Sequence, residues 1–225
     1  MMLTMDPPRH TALRALVSKG FRARQVAKLN ERVTDMARDV VDSAIERGEC
    51  DFVTNVAGAL PSYGIAELLG IPLEEGYRLY ELTEIMNTGL IGGSRAIRAA
   101  AEMFRYSTEL VARKPADPCD DIAASLLHAE SAGQRLTERE FNFLFMLLIN
   151  AGGDTTRNLV AGGTCALMDH PEESAKLEAD PSLPTAVEEM RRYVSPVIAF
   201  FRTATKDTEL RGVPVAEISF RYETV

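Results

Sequence analysis

The spacing of apolar residues predicts a mainly helical chain, because they recur every three to four positions over most of its length. One such stripe runs from Arg24 to Arg47 and stops at Gly48, and glycine at that place commonly ends a helix. The same period predicts further helices over residues 52–69, 74–87, 95–113, 120–130 and 184–194. Most of these helices are amphipathic, so each should bury one side and expose the other.

Two proline-containing segments refine this pattern. Asp6, followed by Pro7 and Pro8, predicts the start of a first helix, with Asp6 as its cap and proline in its first turn. Pro61 lies inside the 52–69 segment. It should kink or divide that helix, because proline lacks the backbone N–H that a helix interior uses.

The longest predicted helix begins at Thr137 and reaches about His170. Thr137 and Glu140 have the spacing of a capping box, in which each side chain bonds the backbone N–H of the other residue. Residues 141–149 are apolar on nearly every face, which predicts a helix that is buried on all sides. Pro171 should end this helix or begin the next one.

After Pro196 the chain becomes rich in β-branched and aromatic residues. They dominate residues 197–201 and 203–215, and Gly212 and Pro214 interrupt the second run. This composition predicts a small β region near the C-terminus. Because no internal repeat and no clear linker is visible, the sequence predicts a single, mainly α domain over residues 1–225.

Charge and composition narrow the classes of partner. The 225 residues include 25 Lys and Arg against 33 Asp and Glu, a net charge of −8. This balance argues against nucleic acid or an anionic membrane as a main partner. The longest apolar run, residues 143–149, is far shorter than the ~20 residues that span a bilayer, and no secretion signal is visible. We therefore expect a cytoplasmic protein. The three cysteines and three histidines are scattered, so their spacing predicts no metal site.

Residues 151–156 break several local rules inside the buried helix. Gly152 and Gly153 each cost about 1 kcal/mol relative to alanine, and Asp154 is costly there unless it is paired or solvated. Thr155 can donate a hydrogen bond back to the carbonyl four residues earlier. Rules broken together at one place indicate function. From these residues alone, the alternative is a helix break, with Asp154 or Thr155 capping a second helix.

The sequence Ala-Gly-Gly-Asp-Thr-Thr at 151–156, in a long buried helix, resembles the oxygen-activation motif of cytochromes P450. Three other segments resemble that family in the same order. Residues 6–14 resemble its helix at the haem edge, residues 189–192 match its ExxR signature, and residues 201–210 resemble the strand region that follows. The resemblance extends from residue 1 to about Val215. It implies the central part of the cytochrome P450 fold and a haem-dependent monooxygenase that hydroxylates an apolar small molecule.

The resemblance implies three contacts to the haem propionates. His10 and Arg14 match a pair that hydrogen-bonds one propionate, and Arg202 matches a second anchor. Cationic donors in a half-dry site suit carboxylates, because charge-assisted hydrogen bonds are strong. A surface ion pair is the alternative role for Arg14.

Two further pairs receive roles from the resemblance. Asp154 and Thr155 match the acid–alcohol pair of the motif, and their implied role is to relay protons to iron-bound dioxygen. Glu189 and Arg192 match an ion pair that holds the fold together and takes no part in the chemistry.

The resemblance also places a substrate cavity. Ala151 and Ile198 lie where the cavity wall would be, and residues 89–94 lie where the family has its substrate lid. Plain core packing is the alternative for Ile198 and for Phe200.

The cysteine that ligates the haem iron in this family has no counterpart here. In the family it lies in a glycine-rich loop of the form FxxGxxxCxG, and none of Cys50, Cys119 and Cys165 has that setting. Residues 216–225 form a divergent tail that resembles nothing in the family. We therefore expect a chain that is truncated near Val215.

Two interpretations of function remain open. In the first, the chain derives from a monooxygenase that receives electrons through a ferredoxin-type partner. In the second, it is an inactive helical remnant without bound iron, or a binder of hydrophobic ligands. A helical-repeat adaptor fits poorly, because the sequence has no repeat period.

Overall fold

The computed structural model describes residues 2–21, 23–88, 93–114, 121–131, 134–217 and 220–224. Most of these residues are helical. The α-helices of the described residues are α1 (Arg9–Gly20), α2 (Ala23–Arg47), α3 (Ala59–Leu69), α4 (Leu73–Thr88), α5 (Ser94–Arg113), α6 (Ile122–His128), α7 (Glu138–Asp169), α8 (Pro171–Ala179) and α9 (Ala186–Val194).

Short strands complete the secondary structure of the described residues: β1 (Glu130–Ser131), β2 (Gln134–Arg135), β3 (Ala199–Thr203), β4 (Thr208–Leu210), β5 (Val213–Val215) and β6 (Phe220–Thr224). They form three antiparallel pairs, β1 with β2, β3 with β6 and β4 with β5. The prediction of a mainly α chain with a small β region near the C-terminus is therefore confirmed. Within the divergent tail, β6 pairs with β3 over five residues.

Helix boundaries follow the local signals in most places. Thr137 and Glu140 form the predicted capping box, with the backbone N–H of Thr137 donating to Glu140 Oε2 at 3.0 Å and that of Glu140 donating to Thr137 Oγ1 at 3.3 Å. Gly48 ends α2 with a φ of +76°, a conformation that glycine adopts without strain. Pro171 both follows the end of α7 and begins α8, as the sequence allows.

Two proline predictions need correction. Asp6 does not cap α1, because that helix begins at Arg9 with Pro8 as its N-cap and has no side-chain cap. The backbone carbonyl of Asp6 instead accepts the N–H of His10 at 3.1 Å. The 52–69 segment is divided, but at Gly58, where a π-helical turn (Val53–Ala57) gives way to α3. Pro61 lies in the first turn of α3, where a missing N–H costs nothing.

The chain divides into two compact units, Met1–Arg157 and Asn158–Val225. In the first unit, the buried half of α7 forms the centre of the core, as its all-round apolar sequence predicts. Phe141, Phe145 and Ile149 are at most 1% exposed. They belong to one apolar cluster with buried side chains of the neighbouring helices, including Leu69, Leu79, Met103 and Leu126.

Fewer of the described residues are buried in the second unit than in the first. Neither α8 nor α9 contains a buried residue. Close packing occurs where α9 meets the end of α7, because a Cβ at Gly162 would lie 2.7 Å from Val194 and one at Gly163 would lie 3.2 Å from Met190. The single-domain assignment for residues 1–225 stays a prediction.

Among the described residues, no single helix combines the length and apolar composition needed to cross a bilayer. The segments Val53–Leu69 and Leu73–Thr88 meet that composition test only as a pair, and they are bent by 115°.

Candidate functional site

The oxygen-motif segment lies within an unbroken helix. Residues 151–156 are all part of α7, so the alternative of a helix break with a second cap is wrong. Thr155 Oγ1 donates to the carbonyl of Ala151 at 2.8 Å, as its position predicts. This bond fixes the direction of the hydroxyl proton and leaves the lone pairs of the oxygen available as acceptors.

The two glycines of the motif are positions of close packing. A Cβ at Gly152 would lie 3.1 Å from Cδ1 of Ile65, which belongs to α3. A Cβ at Gly153 would lie 2.5 Å from the ring of Tyr80, which belongs to α4. The room that glycine leaves on this face is therefore filled by two side chains of neighbouring helices.

Asp154 is paired, as a carboxylate in this helix must be. Its Oδ1 accepts a hydrogen bond from Nη2 of Arg157 at 2.7 Å. Arg157 also pairs through Nη1 with Glu84 of α4, so one guanidinium holds two carboxylates. Burial raises the pKa of Asp154, the charge of Arg157 opposes that shift, and the nearby charge of Glu84 adds to it.

Sequence reasoning missed both partners of Asp154. Arg157 lies three residues after it on the same helix, a spacing at which opposite charges commonly pair, so this signal was available. Glu84 lies on another helix, and no local pattern connects it with the motif.

Tyr80 completes this cluster of charged and polar groups. It is 5% exposed, and its hydroxyl has no hydrogen-bond partner within the described part of the chain. The guanidinium of Arg157 lies over the ring at 5.8 Å from its centroid. Burial, and then the charge of Glu84, raise the pKa of Tyr80 to about 12, so the hydroxyl stays protonated at neutral pH.

The two haem-edge candidates of the first unit lie together. His10 and Arg14 are one turn apart on α1, and side chains with this spacing are neighbours on a helix surface. Beside them runs the buried stripe of Leu13, Leu16 and Val17. Arg14 is exposed and His10 is half-buried, so both can present donors to an anionic group.

Arg202 belongs to the second unit, on β3. Its side chain is exposed, its Nη1 donates to the backbone carbonyl of Phe201 at 2.9 Å, and its guanidinium lies 5.6 Å from the ring centroid of Phe200. This arrangement keeps a cationic group on the strand surface.

The predicted structural pair forms within one turn of α9. Nε and Nη2 of Arg192 donate to the two carboxylate oxygens of Glu189 at 2.8 and 2.6 Å, a bidentate ion pair. Hydrogen bonding to Arg192 lowers the pKa of Glu189. Both side chains are mostly exposed, and exposed pairs contribute little to stability.

We expect Glu189→Gln to leave the thermal unfolding midpoint of this chain within error of wild type, because water screens the pair. Differential scanning calorimetry measures this directly. Glu188→Gln, which removes the neighbouring exposed pair with Arg191, is the matched control. A large drop for Glu189→Gln alone would mean that the pair already stabilises the fold of this chain.

The two cavity-wall candidates are both accessible. Ala151 is exposed on α7, and Ile198 is 72% exposed just before β3. Phe200 is also exposed, so plain core packing is wrong for Ile198 and for Phe200. Residues 89–92 of the predicted lid lie outside the described residues.

No cysteine of the described residues has the setting of an iron ligand. Cys50 and Cys165 are exposed free thiols, and Cys119 lies outside the described residues. The described part of the chain contains no group of three His, Cys, Asp or Glu side chains that could hold a metal ion.

Comparison with known proteins finds relatives that are similar to this chain in sequence. No family model matches the chain. It is 38% identical over 218 residues to a steroid C26-monooxygenase of Rhodococcus jostii, covering 96% of this chain and 46% of that protein. It is 36% identical over 226 residues to a methyl-branched lipid omega-hydroxylase of Mycobacterium bovis, covering 96% and 53%.

A solved structure extends these likenesses to the fold. The chain is similar to a Mycobacterium marinum cytochrome P450 in complex with pseudoionone, with a TM-score of 0.91 and 33% identity, over 99% of this chain and 56% of that one. The chain spans about half the length of the curated relatives it matches.

Proposed function

Because the chain belongs to the cytochrome P450 family, we propose that it forms the haem-edge and oxygen-side part of a monooxygenase that hydroxylates an apolar small molecule. The observation that carries this proposal is the motif on α7. There, Thr155 is bonded to the carbonyl of Ala151, and Asp154 is held beside it by Arg157.

The cofactor of this family is haem, which when bound supplies the iron chemistry that activates dioxygen. His10 and Arg14 offer donors from one accessible side of α1, and in the other unit Arg202 offers a cation from β3. As the resemblance implies, each would hold a propionate through charge-assisted hydrogen bonds. Among the described cysteines, Cys50 and Cys165 are exposed thiols and lack the glycine-rich setting of the family's iron ligand.

The chain's own residues supply a proton path on the oxygen side. The raised pKa of Asp154 favours its protonated form relative to an ordinary aspartate, so it can carry a proton. Thr155, the next residue, can accept that proton on its oxygen, and its own hydroxyl proton passes onwards only when the hydrogen bond to the Ala151 carbonyl breaks. Until then, that bond holds the hydroxyl with its lone pairs available as acceptors.

The proposed substrate is an apolar molecule, held against accessible apolar residues such as Ala151 and Ile198. The names of the relatives, a steroid monooxygenase and a methyl-branched lipid hydroxylase, support a substrate of steroid or lipid type. Members of this family take electrons from a redox partner. A ferredoxin-type protein is the proposed donor here.

A haem titration tests the propionate anchors. We expect the purified chain to bind haem in a saturable manner, and Arg14→Ala to weaken binding about tenfold, the effect of losing one hydrogen bond to a charged group. The control is Arg38→Ala, which removes an exposed arginine of α2 that pairs with Asp35 in the same turn. Equal affinities for both variants would contradict the assignment of Arg14.

Carbon monoxide then separates the two candidate functions. If a thiolate reaches the iron, the reduced haem-loaded chain shows the red-shifted Soret band of thiolate ligation. The exposed settings of Cys50 and Cys165 favour the second candidate, an inactive remnant or a binder of hydrophobic ligands. That candidate is supported if haem or an apolar ligand binds and the red-shifted band does not form.

A further inference from the structure

Glu84 reaches the oxygen motif from another helix, through one arginine. Arg157 of α7 bonds Glu84 of α4 through Nη1, and its Nη2 donates to Asp154 Oδ1 at 2.7 Å. The guanidinium therefore lies between the two carboxylates, and each of its terminal nitrogens serves a different one. The three side chains are between 20 and 29% exposed. Charges that are this poorly solvated interact more strongly than they would in bulk water.

Two further contacts fix α4 against this stretch of α7. Asn87 and Asn150 exchange hydrogen bonds between their side-chain amides, at 3.0 and 3.3 Å. The ring of Tyr80 lies 2.5 Å from the place that a Cβ at Gly153 would take. Glu84 lies between these two contacts along α4, so the fold fixes its position independently of the ion pair.

Arg157 needs such an anchor, because its side chain is long and rotatable. Holding a long side chain in one geometry costs conformational entropy. A partly exposed pair three residues apart on one helix, such as Asp154 with Arg157, offsets little of that cost. Glu84 and the ring of Tyr80, whose centroid lies 5.8 Å from the guanidinium carbon, restrict the arginine from the side of α4. The contact between Arg157 and Asp154 is therefore stronger with Glu84 present than it would be alone.

We propose that Glu84 is a positioning residue for the proton path: from α4 it holds Arg157 in an orientation in which the guanidinium also bonds Asp154. This inference rests on the proposed function, in which Asp154 carries a proton to Thr155. Glu84 takes up no proton in this role, and Arg157 keeps its own. The anchor keeps a cation at the carboxyl of Asp154 and keeps that carboxyl in one place.

The anchor and the charge of Glu84 act on Asp154 with opposite signs. Burial raises the pKa of Asp154, the charge of Arg157 lowers it, and the charge of Glu84 raises it. If Glu84 acts only as a nearby charge, its removal lowers the pKa. If it also anchors Arg157, loss of the anchor weakens the contact with the cation and raises the pKa. Tyr80, the other titratable group described at this cluster, stays protonated at neutral pH.

Carboxyl-carbon NMR titration of the haem-free chain separates the two effects. Glu84→Gln removes the charge but keeps an oxygen that accepts from Arg157, whereas Glu84→Ala removes both the charge and the acceptor. We expect the Asp154 midpoint to fall in Glu84→Gln and to be higher in Glu84→Ala than in Glu84→Gln. Equal midpoints in the two variants would overturn the proposal, because loss of the charge is common to both.

A double-mutant cycle then identifies the route. With Arg157→Gln in place no cation remains to be positioned, so Glu84→Gln and Glu84→Ala should give the same Asp154 midpoint. A difference that persists in this background would mean that Glu84 acts by another route, and the proposal would fail. Glu81→Gln is the matched control, because it removes an exposed carboxylate of the same helix. It should leave the Asp154 midpoint close to that of the wild-type chain.

The wild-type chain offers a measurement that depends on no variant. A guanidinium whose two terminal nitrogens bond different carboxylates cannot rotate freely about its Cζ–Nε bond, so its Nη protons should give separate NMR signals. We expect separate signals for Arg157 and one averaged signal for exposed Arg105 of α5. An averaged signal for Arg157 would contradict the anchoring. All of these measurements are made without haem, so a negative carbon monoxide result bears on the proposed monooxygenase and leaves the outcome for Glu84 separate.

Discussion

Phe145→Ala is expected to destabilise the chain by about 3–5 kcal/mol, the range for truncating a large buried aromatic residue. Phe145 is 1% exposed and lies in the part of α7 that is surrounded by other helices. Its ring stacks on Phe141 at 6.2 Å and on Tyr106 at 5.9 Å between centroids. Alanine would leave a cavity between these rings, and the aromatic contacts would be lost with the buried apolar area.

Urea unfolding, followed by circular dichroism, measures this loss as a shift in midpoint at constant slope. The control is Ile97→Ala in the same unit, where the side chain is 62% exposed on α5, so its removal should change stability by less than about 0.5 kcal/mol. A similar small change for Phe145→Ala would show that the α7 core is loosely packed.

The burial that makes this prediction possible was visible in the sequence. Residues 141–149 have apolar side chains on nearly every face, and only a helix enclosed by protein tolerates that composition. The capping box at Thr137 and Glu140 was equally visible, because both partners lie within four residues. Asp6 failed as a cap, because the neighbouring prolines shift the first helical turn to Arg9.

In the candidate site too, contacts between residues close in sequence could be predicted, whereas contacts between residues far apart in sequence could not. The bond from Thr155 to Ala151 follows from their spacing, and so does the pairing of Asp154 with Arg157. Glu84 precedes Asp154 by 70 positions, and only the packing of α4 on α7 brings it to Arg157. The cluster that modifies Asp154 could therefore not be derived from any local pattern.

The glycines of the motif show the same limit. Their cost in a buried helix signals a special position, but it does not reveal that Ile65 and Tyr80 fill the space beside them. From the sequence alone, two glycines in a helix are equally consistent with a kink or with an open face. In the structure, side chains of neighbouring helices fill the space beside both glycines. A methyl group would be more crowded at Gly153 than at Gly152.

Gly153→Ala is accordingly expected to be less stable than Gly152→Ala by about 1–3 kcal/mol, the usual cost of overpacking. Each substitution gains about 1 kcal/mol in helix propensity, so that gain cancels in the difference between them. At Gly152 the new methyl meets the mobile end of Ile65 at 3.1 Å, whereas at Gly153 it meets the ring of buried Tyr80 at 2.5 Å.

The difference in unfolding free energy between the two variants, from urea titrations, measures this effect. Displacement of the Tyr80 ring should accompany it, seen as a shift of the Tyr80 resonances in Gly153→Ala alone. Equal stabilities would mean that the ring moves aside at no cost and that Gly153 is not required for packing. Because Arg157 lies over the same ring, the displaced ring should also change the titration of Asp154. Gly153 would then set the position of the relay acid through Tyr80.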